Sequence, residues 1–390
     1  MDNHSTTRVD PLVVDTMLPF FTETYGNPGS TSHVFGWESK DAVDAAREQI
    51  ATAIGATSRE IVFTSGATES NNLAIRGVME RVRRKGNHIV SVQTEHKAIL
   101  DPLSKLSRRD CELTLLQVES FDSQQAGLID IQQLAEAIRE DTALVTVMLA
   151  NNEIGVIQPL GEIAKVCRER GVLLHSDATQ AVGKIPVDVK QLGVDMMSFS
   201  AHKIYGPKGV GALYVRRGAP RIALEAQIEG GGQEGGRRSG TLNVPGIVGF
   251  AKALDLCFAE MATENDRLSE LRKQLYQGLT SSIENVSLNG PNFDSPSIRL
   301  ANNLNCGFAY VDGEALMMSM GNLAVSSGSA CTSANPEPSH VLRALGISDD
   351  LVRASLRFGL GRFNTAEEVN IAISLVAESV QRLRKMSSLA

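Results

Sequence analysis

Apolar positions along the chain come in two kinds of stretch that alternate. Short, nearly continuous runs fall at residues 60–64, 88–92, 113–116, 143–149 and 172–175, with two more at 194–197 and 210–215. Between them, apolar residues recur at helical spacing over about 37–54, 71–85, 97–108, 130–139 and 160–170. In the first of these segments Ala42, Ala45, Ala46 and Ile50 take the apolar positions. Continuous strands alternating with helices predict a largely parallel sheet covered on both faces. Residues 1–35 are rich in Pro, Gly, Ser and Thr and read as an irregular arm. Past Tyr214 the pattern changes. A glycine-rich stretch at 229–236 leads to a long helical region over about 246–284, and after Pro291 short strands and helices mix. This last part predicts a second, smaller α+β unit.

The 390 residues are long enough for a large core and two domains. With 42% hydrophobic and 21% charged residues the composition is that of a globular protein. A net charge of −7 argues against nucleic acid as a main partner. No apolar run is long enough to span a membrane, and residues 1–11 lack the form of a signal peptide. A cytoplasmic location is therefore expected. The five cysteines are odd in number and contain no C-x-x-C pair, so neither disulfides nor structural zinc is expected. Cys167 and Cys257 sit in helical apolar patterns and read as core. Cys331 lies instead in Ser326-Ser327-Gly328-Ser329-Ala330-Cys331-Thr332-Ser333, a loop composition that suits an exposed, reactive thiol.

Candidate chemistry gathers at strand ends. Lys203 stands in Ser200-Ala201-His202-Lys203, between two strands and ahead of Gly206-Pro207. An amine partly buried at a sheet rim is suited to attack carbonyls. Ser65-Gly66-Ala67-Thr68 joins a strand to a helix and offers a phosphate cradle, though a plain helix cap reads equally well. Asp177 and Gln180 follow one strand, His96 another, and Asn151-Asn152-Glu153-Ile154-Gly155 a third. Each alone has a structural reading. Together, a lysine, a carboxylate, a flat imidazole and a phosphate cradle on one sheet meet the needs of pyridoxal 5′-phosphate. Gly230, Gly232 and Gly235 have formal dinucleotide-motif spacing, but no strand–helix frame or ribose-binding acid accompanies them, and a mobile or tightly turned loop is expected there.

With those residues in place, the chain resembles the cysteine desulfurases of the NifS/IscS type, within the class V pyridoxal-phosphate-dependent aminotransferases. The likeness covers nearly its whole length. It is carried in order by Phe63-Thr64-Ser65-Gly66-Ala67-Thr68-Glu69-Ser70, Thr94-Glu95-His96-Lys97, Asn151-Asn152-Glu153-Ile154-Gly155, Asp177-Ala178-Thr179-Gln180, Ser200-Ala201-His202-Lys203, Arg238-Ser239-Gly240-Thr241, Ser326 to Cys331 and Arg357-Phe358-Gly359-Leu360-Gly361-Arg362. The resemblance implies a fold-type-I α/β enzyme: a large domain (16–250) with a mostly parallel mixed sheet between helices, and a small α+β domain (251–390). The small domain would carry the cysteine loop at about 322–336 and take in an N-terminal arm, 1–15.

The resemblance also implies roles. Lys203 would hold the cofactor covalently, Asp177 would pair with its ring nitrogen, and Gln180 with its phenolic oxygen. His96 would stack on the ring and move protons. Ala67, Thr68, Ser200 and His202 would bind phosphate, joined by Thr241 from the other subunit of a homodimer. Asn152, also counted with the cofactor, and Arg357 would hold the carboxylate of L-cysteine. Cys331 would take the sulfur as a persulfide, leaving L-alanine, and pass it to an iron–sulfur scaffold or another acceptor protein. With such a scaffold Cys331 would transiently ligate a cluster; no structural metal is expected. The alternatives are a selenocysteine lyase or another class V lyase or aminotransferase, which does not need Cys331, and a non-catalytic sulfur-relay scaffold, which does not need Lys203, Asp177 and His96. The opening Met1-Asp2-Asn3-His4-Ser5-Thr6-Thr7 resembles the interior of the family's first block, with Ser5 where alanine is usual. The end at Ala390 leaves out a tail by which relatives dock a scaffold, so a different mode of docking is expected.

Overall fold

The computed structural model describes residues 1–82, 86–293, 296–327 and 338–386. Among them the chain forms two sheets. The larger contains β1 (Ile61–Thr64), β2 (His88–Val92), β3 (Glu112–Leu116), β4 (Thr142–Thr146), β5 (Leu173–Asp177), β6 (Met196–Ser200) and β7 (Gly211–Val215), in the spatial order β1-β7-β6-β5-β4-β2-β3. Pairings from β3 through to β6 are parallel, whereas β7 runs antiparallel to both β6 and β1. Every residue of β1, β2, β4, β6 and β7 is buried, as their unbroken apolar runs require. The mostly parallel mixed sheet between helices is as expected.

The smaller sheet has β8 (Val286–Leu288), β9 (Asn303–Phe308), β10 (Ser326–Ser327) and β11 (Ser355–Gly359), ordered β10-β11-β9-β8 and antiparallel throughout. The 39-residue helix Val244–Ser282 connects the two cores. Its first half, including Phe250, Leu254 and Cys257, packs into the core of the larger sheet, and its second half, from Leu268 to Leu279, into that of the smaller one.

Four expectations need correction. The arm 1–35 is not irregular throughout: helices form at Pro11–Met17 and Pro19–Thr22. Asp10 caps the first by accepting from Leu12 N, and proline opens each. Val13 in that helix is fully buried. The strand expected to reach Leu149 pairs regularly only to Thr146, although Val147 N and Leu149 N still donate to the carbonyls of His175 and Asp177. Asp177 is the last residue of β5 rather than a residue after it. The helix expected at 71–85 starts earlier, at Ala67, and is described to Val82.

The glycine-rich loop is tightly pinned. Glu234 takes Arg47 through both guanidinium nitrogens, at 2.6 and 2.8 Å, and accepts from Phe63 N at 2.7 Å. The Arg47 guanidinium also lies 4.4 Å over the Phe63 ring. The loop is thereby fastened to β1, the strand that leads into the site. Replacing Glu234 with Ala leaves Arg47 enclosed without a carboxylate and should lower stability by about 3 kcal/mol in urea titration. A loss below about 0.5 kcal/mol would mean that the clasp adds nothing.

Candidate active site

The register of the larger sheet decides where the site forms. Gly211 pairs with both Thr64 and Ser200, so the C-terminal ends of β1 and β6 lie side by side at the start of β7. A Cβ on Gly211 would stand 2.7 Å from the Cα of Gly66 and from the carbonyl oxygen of Phe199, so only glycine lets these three segments meet. The loop 65–68 is thus brought beside Lys203, which lies in the short turn Ala201–Lys203 after β6.

Here a cavity of about 540 Å³ opens. Lys203, His96, Asp177, Gln180, Ala67, Thr68, Asn152 and Arg357 all line it. Ser200 ends β6 beside it, buried, and a Cβ on Gly66 would lie 3.7 Å from its hydroxyl. His202 is next to Lys203 but outside the lining, with Nδ1 3.1 Å from the hydroxyl of Thr6. Thr241 is exposed and does not line the cavity. Cys331 lies outside the described residues.

The Lys203 amine donates to the carbonyls of His4 at 2.7 Å and Ser5 at 2.5 Å. Asp177 accepts from Asn71 Nδ2 at 2.7 Å and Thr179 N at 2.9 Å, which fix the plane of its carboxyl. Behind Asp177, His175 is buried in β5 between Thr146, 2.9 Å from Nδ1, and Ser198, 2.9 Å from Nε2. Burial pushes its imidazole down to about 4, and the nearby Asp177 only partly opposes this.

His96 caps the helix Lys97–Ser107, its Nδ1 accepting from Ala98 N at 3.0 Å. Burial lowers its pKa, so the neutral ring carries its proton on Nε2. In this state His96 offers a flat face and an N–H, and proton transfer through Nδ1 would release the cap. Arg357, buried on β11, donates to Asn152 O, Asp2 Oδ1, Ser5 Oγ and Ser326 Oγ at 2.8–3.0 Å.

Four lining or adjoining residues had no role assigned from sequence. Glu95 is fully buried and accepts from Met148 N at 2.5 Å; burial raises its pKa well above the carboxylate range. Glu153 accepts from Ser339 Oγ at 2.5 Å, and burial pushes it up to about 7. His340 Nε2 donates to the Glu95 carbonyl at 2.8 Å. His4 sits under Lys203 and Gln180. Glu95 and Glu153 lay inside motif blocks already noted, which was the signal available. His340 and the contacts of His4 had none.

The arrangement combines an amine, a carboxyl, a planar ring and a buried guanidinium around one space, under the open end of the helix Ala67–Val82. It suits an anionic, planar, carbonyl-bearing ligand together with a carboxylate.

The chain is similar to known proteins over nearly its whole length. The family model described as aminotransferase class-V matches residues 1–371. A cysteine desulfurase IscS of Anaeromyxobacter sp. (strain Fw109-5) is 54% identical over 389 residues, covering 100% of this chain and 94% of that protein. The cysteine desulfurase IscS of Escherichia coli (strain K12 / DH10B) is 54% identical over 392 residues, with the same coverage. Among solved structures, a NifS-like protein superposes with a TM-score of 0.89 at 35% identity, covering 98% of this chain and 99% of that one. SspA in complex with cysteine superposes with a TM-score of 0.80 at 34% identity, covering 93% and 99%.

A pH dependence follows from His175. Its folded pKa lies below its unfolded value near 6.5, so the unfolded chain binds more protons between pH 6.5 and 4. Stability should fall by about 3 kcal/mol as pH drops through that window and level off below it. Relative to His175→Gln, which lacks this titration, the wild type should lose ground between pH 6.5 and 4 in denaturant melts. Parallel curves would rule out a buried neutral imidazole.

Proposed function

The chain belongs to the class-V aminotransferase family, and from that premise we propose that it is a cysteine desulfurase that moves the sulfur of L-cysteine onto its own Cys331. The observation that carries the reading is the convergence of Lys203, Asp177, His96 and Arg357 on one cavity. The residues present fit pyridoxal 5′-phosphate. Ala67 and Thr68 open a 16-residue helix whose first N–H groups suit a phosphate. Asn71 Oδ1, Thr179 Oγ1 and Arg357 Nε are buried without a partner among the described residues, as polar groups of a site made for a polar ligand would be. Lys203 would hold the cofactor covalently, Asp177 its ring nitrogen, Gln180 its phenolic oxygen, and Ser200 and His202 its phosphate. When bound, the cofactor supplies an electron sink that acidifies the substrate's α-hydrogen.

The chain's own groups do the rest. Arg357 and Asn152 hold the substrate carboxylate; the guanidinium already grips one carboxylate, that of Asp2. Lys203 Nζ takes and returns the α-proton. His96 covers a ring face and presents Nε2–H. In the net exchange the carbon–sulfur bond of cysteine breaks, a sulfur–sulfur bond forms on Cys331, and the proton of the thiol ends on carbon. L-cysteine and a thiol become L-alanine and a persulfide, with no external oxidant. The sulfur then passes to an acceptor protein, an iron–sulfur scaffold foremost, on which Cys331 would transiently share a cluster.

We read the protein as a homodimer in which Thr241, exposed and outside its own cavity, reaches the cavity of the neighbouring subunit. Large apolar side chains left exposed at Leu12, Leu18, Phe21, Tyr25, Phe35 and Trp37 support a buried interface there. The division into a 16–250 and a 251–390 unit is supported by the two separate cores, with the changeover within the long helix between Cys257 and Leu268. A cytoplasmic location is supported by the thiols at Cys167, Cys257 and Cys306, which form no disulfide among the described residues. Among the described residues no helix is long and apolar enough to cross a membrane.

The test mixes the pyridoxal-phosphate-loaded protein with L-cysteine and a thiol, and measures alanine and sulfide. Lys203→Ala and Cys331→Ala should each abolish sulfide release. Equal sulfide from wild type and Cys331→Ala would sink the persulfide route. Replacing His96 with Ala should slow turnover roughly a hundred-fold or more if it moves a proton. A loss of only a few-fold would leave it a stacking surface.

A further inference from the structure

Three polar residues with no part in the chemistry above, His4, Lys184 and Asn303, form an ordered row behind Gln180. Residues 179–184 form consecutive turns, in which Val182 N donates to Ala178 O and Lys184 N to Ala181 O, with Gly183 left-handed at φ 76°. Lys184 Nζ donates to Gln180 Oε1 at 2.6 Å. That atom must be the amide oxygen, because the ammonium has only hydrogens to offer. His4 Nδ1 lies 3.0 Å from the same oxygen and so carries the ring proton. His4 Nε2 is then an acceptor, and Asn303 Nδ2 meets it at 3.3 Å. Asn303 is set in turn from behind, its Oδ1 accepting from Arg299 Nη2 at 3.1 Å.

A cation thus stands at each end of the row, and every hydrogen between them has one consistent direction. Turning the Gln180 amide over would set its NH2 against two other donors at once. As it stands, Gln180 Nε2 gives one hydrogen to His4 O at 3.0 Å. Its second hydrogen has no protein partner among the described residues, and Gln180 lines the cavity.

We propose that Lys184, backed by His4, is a positioning residue that holds the Gln180 amide with its N–H toward the cavity, so that the site presents a donor to the cofactor's phenolic oxygen. The inference rests on the reading of Gln180 as that oxygen's partner. Lys184 faces Lys203 and Arg357, and also Glu264 and Cys257 on the long helix. Burial and the two neighbouring cations push its amine down to about 7, against the pull of Glu264 and Cys257. A neutral amine keeps hydrogens to donate, and His4 Nδ1 faces the same oxygen whatever the charge on Lys184. A donor at the oxygen favours its ionised form and lowers the pH at which the bound cofactor's visible spectrum changes.

The test is a pH titration of the visible absorbance of the pyridoxal-phosphate-loaded full-length protein. In Lys184→Met the midpoint should rise by about one pH unit, and Lys184→Arg should bring it back toward wild type. In a Gln180→Leu background, Lys184→Met should add no further shift, because Lys184 acts through the amide. His4→Phe, which removes the second donor to Oε1, should move the midpoint the same way and keeps the test open if Lys184→Met does not fold. An unmoved midpoint in Lys184→Met and His4→Phe, or an equal shift with and without Gln180, would overturn the proposal. Wild-type protein that takes up no pyridoxal phosphate would instead overturn the cofactor reading beneath it.

Discussion

A guanidinium with about 1% of its surface exposed is the constraint on which the site depends. Burying Arg357 uncompensated would cost several kcal/mol, so partners must be brought to it. They come from three separate parts of the chain: Asp2 and Ser5 of the N-terminal arm, the carbonyl of Asn152, and Ser326 of β10, all meeting β11. The arm, once drawn in, runs beneath Lys203 and supplies the carbonyls of His4 and Ser5 to its amine. One buried cation thereby fixes the position of a second.

The larger sheet provides the other half of the frame. Because β7 runs antiparallel between β1 and β6, those two strands point the same way. Their ends deliver the 65–68 loop and Lys203 to one edge despite the long chain between them. Gly211 at the start of β7 keeps the approach close enough, and Glu234, clasped by Arg47, steadies the outer strand.

Lys203, Asp177 and His96 were legible from sequence because each is a chemically distinctive residue at the end of an apolar run, and strand ends of an open sheet share an edge. The order of helices and strands was legible for the same periodic reason. The arm's first helix was not: its Asp10–Pro11 start was masked by a composition that suits loops equally well. His4, Glu95 and Glu153 went unassigned because their roles come from burial and from contacts across long gaps. His4 and Gln180 are 176 residues apart, and Glu153 and Ser339 are 186 apart. No local pattern encodes such a meeting. What a motif conveys is the residue at the ligand; the residues that aim it lie one layer back, where sequence spacing carries no signal.

The central place of β11 in the smaller sheet has a consequence for synthesis on the ribosome. β9 and β10 both need β11 as their neighbour, and β11 ends at Gly359. Until that strand emerges, the N-terminal arm has no Arg357 to bind and the cavity lacks a wall. The larger sheet can form before β11 leaves the tunnel, since its last strand ends at Val215 and its core closes with the first half of the Val244–Ser282 helix. The nascent protein therefore passes through an interval with a formed sheet and an exposed lysine but no closed pocket, and capture of a ligand there must wait for nearly the whole chain.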